Sequence, residues 1–130
     1  MNKNILSVII KKPISEVFEF SINPKNTHTW FTGIIQEKID TEKTQIGTIY
    51  SSTSDGENWS SFVCKDIIPN KLFVLESIEG DYRVVYDYEF MSDTETKMTY
   101  TEYMTDEQVD LSCPFEQRYL DTLKQLLEQI

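Results

Sequence analysis

His28 and Glu102 are the side chains whose type and position could do acid–base chemistry. His28 is the sole histidine among 130 residues, and it lies just before an aromatic pair, Trp30 and Phe31. An imidazole there is a general-base candidate at neutral pH. The plainer reading, which the sequence favours, is a polar residue on an exposed turn. One histidine cannot build a histidine-based metal site, so no metal is expected. Cys64 and Cys113 form no C-x-x-C pair and read as reduced thiols. Either would need His28 beside it to act as an activated nucleophile. Cys64 is more simply a small strand residue, and Cys113 stands ahead of a helix.

Glu102 is the sharper observation. Met98, Tyr100 and Met104 alternate along a strand, and the same period places Glu102 on their face. A carboxylate in an apolar cavity has its pKa raised and can anchor a ligand hydroxyl or move a proton. The plainer alternative, again the favoured one, puts Glu102 near the strand end, reaching water or pairing with a cation. Around these residues stands a large aromatic set: Tyr50, Tyr82, Tyr86, Tyr88 and Tyr100, with Trp30 and Trp59. Such rings offer apolar faces and a few hydrogen-bonding tips, which suits a ring-containing or amphipathic ligand. Core filling must account for most of them. No phosphate-cradling loop, G-x-G-x-x-G pattern or G-x-S-x-G elbow occurs, and no cofactor is expected.

The elements that must position these groups can be read from period and punctuation. Residues 4–10 are β-branched and aliphatic and read as a strand. Pro13 suits the first turn of a helix whose apolar face is Ile14, Val17 and Phe18. Asn23-Pro24 ends that helix, because a residue before proline avoids the helical region. Asn23 can then cap a second short turn that runs to Trp30. From Ile34 to Thr105 the chain reads as about six consecutive strands. They break at Glu42-Lys43-Thr44, Asp55-Gly56, Pro69-Asn70, Gly80-Asp81 and Ser92-Asp93. Tyr82, Val84, Tyr86, Tyr88 and Phe90 share one face, against Arg83, Asp87 and Glu89 on the other, so the sheet has one buried and one wet side. A helix beginning near Pro114 carries Phe115, Tyr119, Leu123, Leu126, Leu127 and Ile130 as an apolar stripe.

Composition sets the outer limits. A chain of 130 residues is one domain, residues 1–130, able to bury a real core. Hydrophobic residues at 39% with 12% aromatic argue against disorder. Twelve basic against 22 acidic residues give a net charge of −10, and the lysines are scattered. That surface repels phosphate, which excludes nucleic acid and anionic membranes as expected partners. The apolar run Ile5–Ile10 is broken by Ser7 and followed by lysines rather than a cleavage site, and no stretch approaches the ~20 apolar residues that span a bilayer. The chain therefore reads as cytoplasmic, and Asn58-Trp59-Ser60 as a glycosylation pattern without meaning there.

Taken in order, these segments resemble a known family. Ile10 to Phe18 (IKKPISEVF), Asn23-Pro24 and Trp30 look like the opening of the polyketide cyclase/dehydrase-like branch of the SRPBCC superfamily. Ile46-Gly47-Thr48 and the stretch from Val63 to Leu72 resemble its later strands, with Lys65 where an acidic residue is common. The resemblance implies an α+β helix-grip fold, shared with START lipid-transfer domains and the birch-pollen allergens. That fold is a six-to-seven-stranded antiparallel sheet wrapped round a long C-terminal helix, with two short helices after the first strand. It also implies an internal cavity between sheet and helix, entered near the short helices.

The expected function is binding of a small apolar or amphipathic molecule in that cavity, by a monomer or homodimer. Its expected lining is Phe18, Trp30, Tyr50, Trp59, Phe62, Tyr86, Tyr88, Tyr100, Phe115, Tyr119 and Leu123. One alternative is an enzyme of cyclase, dehydratase or hydrolase type using Glu102 or His28. Another is a protein-binding stress or toxin–antitoxin type regulator. If the pocket lies under mid-helix, Leu123→Ala would only enlarge an existing void, and would cost at or below the low end of ~2–5 kcal/mol.

Overall fold

The computed structural model describes residues 2–129, so the expected stripe position Ile130 lies outside the described residues. Strand β1 (Lys3–Ile10) is followed by helix α1 (Ile14–Ile22) and a single helical turn, α2 (Thr27–Trp30). Six strands then follow: β2 (Gln36–Ile39), β3 (Ile49–Thr53), β4 (Trp59–Ile68), β5 (Leu72–Ser77), β6 (Tyr82–Ser92) and β7 (Glu95–Met104). The chain closes on α3 (Gln117–Glu128). All seven strands form one antiparallel sheet in the order β1-β7-β6-β5-β4-β3-β2. This is the expected helix-grip arrangement.

Local chemistry explains the punctuation. Pro13 precedes the first helical residue in an extended conformation and leaves its carbonyl to accept from Glu16 and Val17. Asn23, held extended ahead of Pro24, ends α1 as expected. Its side chain does not cap α2. The Asn23 amide oxygen accepts from the Lys25 N–H, which closes a local turn, and Asn26 takes the cap position of α2. The hairpin turns fall at the expected breaks. Three of them use backbone in the left-handed region, at Gly56 (φ 84°), Asn70 (φ 64°) and Gly80 (φ 80°).

A bulge between Cys64 and Asp66 resets the alternation of β4 and bends the sheet. The concave face buries Tyr50, Phe73, Tyr86, Tyr88, Met98 and Tyr100 against Val17, Phe18 and Trp30 from the helical clip. Phe90 shares the parity of Tyr88 yet is 60% exposed. The register shifts between Phe90 and Ser92 at the hairpin end, where the strand leaves the regular ladder.

Helix α3 starts at Gln117, not near Pro114. The Phe115 carbonyl accepts from the Asn4 side chain, and Glu116 remains extended, so no helical turn forms there. Once begun, α3 lies along β1. Gln117 Nε2 donates to the Ser7 carbonyl (3.0 Å) and Lys124 Nζ to the Ile9 carbonyl (2.9 Å). Glu128 accepts the Lys11 N–H at 2.8 Å. The buried face of the helix is Tyr119, Leu120, Leu123 and Leu127, with Leu126 partly buried against the core.

Leu123 is 0% exposed and belongs to the packed core cluster. The expectation that it borders a void is therefore corrected, because no residue of α3 lines the cavity described below. Leu123→Ala is expected to open a new hole and cost toward the upper end of ~2–5 kcal/mol. Urea unfolding measures this, and ligand binding should be unchanged.

Candidate functional site

The site forms beyond the N-terminal end of α3, where the curled sheet outruns its cover. A cavity of about 360 Å³ opens between the segment after α2, the concave strands and the stretch preceding α3. Its deep wall is Leu75, Val84, Tyr86, Tyr100 and Phe115, and its mouth is framed by Gly33, Ile34, Ser54, Asn58 and Cys113. The mouth loop is organised by Asp55, whose carboxylate accepts from the N–H groups of Asn58 and Glu57 and from the Asn58 amide. Those bonds, the Asn58 N–H first, hold its carboxyl well below the usual carboxylate range.

Pairing register puts Glu102 in this wall. Asn4 of β1 and Val84 of β6 flank it on either side, and all three side chains point to the concave face. Glu102 is 1% exposed. Its Oε2 accepts from Asn4 Nδ2 at 2.9 Å and from the Phe115 N–H at 2.5 Å. Its Oε1 accepts from the Tyr82 hydroxyl at 2.5 Å. These partners are an amide, a peptide group and a phenol, so the favoured expectation of water or a cation partner is corrected. Burial, and then Glu102 itself, keep the Tyr82 phenol far above its normal range and therefore protonated as a donor.

A second carboxylate, not singled out in the sequence, faces the same space. Register places Glu37 of β2 beside Ser52 of β3, which pairs with Ser60 of β4, and all three line the cavity. Glu37 Oε1 accepts from the Thr27 hydroxyl at 2.5 Å. Burial pushes its pKa up to about 7, against the opposing pull of that hydrogen bond. The signal was its shared parity with Ile39 in a four-residue strand, too short a run to stand out.

Of the expected lining, Phe62, Tyr86, Tyr100 and Phe115 border the cavity. The others do not. Phe18 packs edge-on against Tyr88 at 5.1 Å, and the Tyr88 hydroxyl pairs with Ser21. Tyr50 donates to the Ile22 carbonyl and packs on Phe73. Trp30 is 0% exposed, between Tyr86 and Phe115. Tyr119 stands behind the wall, stacked on Phe31 at 4.8 Å. Trp59 faces outward under the Lys38 ammonium, because Ser60 and Phe62 take the inward parity. Core filling thus absorbs most of the aromatic set. Phe31 and Tyr82 are lining residues that the expected set lacks.

His28 is exposed and outside the cavity. Cys64 is buried and bonded to the Asp66 carbonyl, and Cys113 lies at the mouth. No group of histidine, cysteine and acidic side chains suited to a metal occurs among the described residues. Nor, among them, is any helix long and apolar enough to cross a membrane.

No known family's sequence profile matches the chain, and no curated protein matches it in sequence. The fold is nonetheless found in solved structures. The Aha1 dimer from Colwellia psychrerythraea superposes with a TM-score of 0.71 at 16% identity, covering 98% of this chain and 97% of that one. Protein CV1439 from Chromobacterium violaceum gives 0.69 at 14%, over 98% and 97%. Ara h 8.0201 gives 0.65 at 11%, over 98% of each chain. At such identities the likeness defines the class of architecture, the helix-grip fold, and stops there.

Two measurements check the site. Glu102→Ala leaves three donors facing a hole, and at ~1–3 kcal/mol for each unmet buried group the loss of stability should exceed about 3 kcal/mol by urea unfolding. Glu37 titrates in the opposite sense from an ordinary folded-state carboxylate. Its folded pKa lies above its unfolded value, so the unfolded chain releases this proton first. Its contribution should fall as pH rises from about 4.5 to about 7 and stay lost above. Glu37→Gln should abolish that dependence, with a gain at alkaline pH of at most about 3 kcal/mol, read from thermal melts across the range.

Proposed function

We propose that this protein holds a small apolar or amphipathic molecule in the cavity beneath α2, as a carrier or sensor. The single observation that carries the reading is the cavity of about 360 Å³ walled by Tyr86, Tyr100, Phe62 and Phe115 at the edge of the aromatic core. Its volume falls at the low end of the ~300–1,000 Å³ typical of small-molecule sites, and apolar walls with few polar groups are their usual make-up. The polyketide cyclase/dehydrase-like resemblance of the opening residues points the same way. The reading carries with it a cytoplasmic, monomeric or homodimeric protein.

A second reading is supported by one observation: Glu37 and Glu102 converge on the same space. An acid–base enzyme of cyclase, dehydratase or hydrolase type needs two such groups. Glu37, whose pKa is lifted to about 7, is the better proton carrier there. Glu102 is engaged by three donors, and His28 is outside.

Native mass spectrometry of protein purified from its own host separates these. A binding protein should retain a small molecule, and Val84→Phe, which fills the cavity floor, should lose it while keeping its circular dichroism. Turnover would appear as a retained mass that differs between wild type and Glu37→Gln. Protein that retains nothing, together with unchanged spectra on adding apolar compounds, would defeat both readings.

A further inference from the structure

We propose that the ligand is an organic cation, an amine on a compact apolar or aromatic body, and that Glu37 is the residue that pairs with its ammonium. The inference rests on the cavity being a binding site and specifies which chemistry it accepts.

The argument begins with what lines the space. Two carboxylates, Glu37 and Glu102, face it, and among the described residues no lysine, arginine or histidine does. An anionic head group, whether a fatty-acid carboxylate or a phosphate, would be desolvated beside like charge with no counter-ion, which is strongly unfavourable. A cation meets the reverse situation. The rings of Phe31, Tyr86 and Phe115 present faces or edges to the same volume, and aromatic faces attract ammonium groups. The net charge of −10 also draws cations toward the molecule.

The two acids are not equivalent. Glu102 has both oxygens engaged by donors from three separate segments, so its carboxylate is already used in holding the wall. Glu37 has one. Its Oε1 takes the Thr27 hydroxyl, while Oε2 has no hydrogen-bond partner among the described residues. The free oxygen belongs to a partly buried carboxylate whose proton is held unusually tightly by burial. An ammonium beside it would favour the ionised form and supply the missing donor. Little else nearby can do so. Thr27 of α2 bonds Glu37, and the Tyr50 and Tyr86 phenols lie close enough to feel its charge; Tyr82, Tyr100, Glu102 and Cys113 are the other titratable groups that line the cavity. All are neutral or acidic. Lys38, the neighbouring cation on β2, points to the other face of the sheet, over Trp59.

Three probes sharing one indole body provide the test: tryptamine, the neutral alcohol tryptophol and the anion indole-3-propionate. Binding is followed by NMR titration of the cavity residues at about pH 8, where Glu37 is ionised. Tryptamine should bind at least about tenfold tighter than tryptophol, and indole-3-propionate more weakly than either. Glu37→Gln should reduce tryptamine to the level of tryptophol and leave tryptophol unchanged. Lowering the pH to about 5 should do the same to wild type, since Glu37 is then protonated while the amine remains charged. If tryptophol and tryptamine bind equally and Glu37→Gln alters neither, the cavity binds but the cation inference is wrong. If none of the three shifts a cavity resonance, the binding reading falls, and this inference with it.

Discussion

A carboxylate that is only 1% exposed must be given donors, and the donors of Glu102 determine how this molecule is assembled. They come from β1 through Asn4, from β6 through Tyr82, and from the chain ahead of α3 through the Phe115 N–H. Asn4 spends its second N–H on the Phe115 carbonyl, so one amide and one carboxylate clamp both polar groups of a single residue. That clamp keeps residue 115 out of the helix and sets the Phe115 ring on Tyr100, 3.8 Å apart and nearly parallel. A buried polar network of this kind is costly when half satisfied and specific when complete. Here it joins the first strand, the last strand and the entrance to the last helix.

The cavity follows from the same arrangement. Because α3 starts two residues past Phe115, its apolar face covers the β1 side of the sheet and leaves the concave surface of β2–β4 bare near the mouth. The clip can cover only part of what remains. Trp30 seals the inner side, while Phe31 turns to the cavity and packs edge-on to Phe115 at 4.9 Å. Ser52, Ser60 and Glu37 then form a polar flank opposite an aromatic one. The broken helix after β1 is thus a lid frame, and its break at Asn23-Pro24 allows one short element to turn over the sheet edge.

The architecture was legible because each element carries its own local signal. Period-two alternation in β6 and β7, proline at the helix start and end, and turn residues at five hairpins are properties of neighbouring residues. The site was legible only in part, since cavities depend on which side chains fail to meet. Parity alone placed Glu102, Tyr86 and Tyr100 correctly on the inner face. It could not tell that Tyr88 and Tyr50 are capped by Ser21 and the Ile22 carbonyl, nor that α3 begins too late for Tyr119 and Leu123 to face the void. Trp59 was misread because its aromatic character outweighed its parity with Ser61. Glu37 was missed for the converse reason: its strand of four residues gives alternation too little length to register.

The contacts of α3 with β1 bear on how safely this chain can be made. Gln117, Lys124 and Glu128 occupy the outward peptide groups of Ser7, Ile9 and Lys11, which are the groups an eighth strand from another molecule would use. Unblocked sheet edges template aggregation, and β1, with Ile5 and Ile9 exposed at 58% and 44%, is an apolar one. The opposite edge is β2, only four residues long. Yet the plug follows all seven strands in the chain. Until α3 has docked, the sheet stands with its longer edge open, so the hazard for this protein is concentrated in the interval between strand pairing and helix docking.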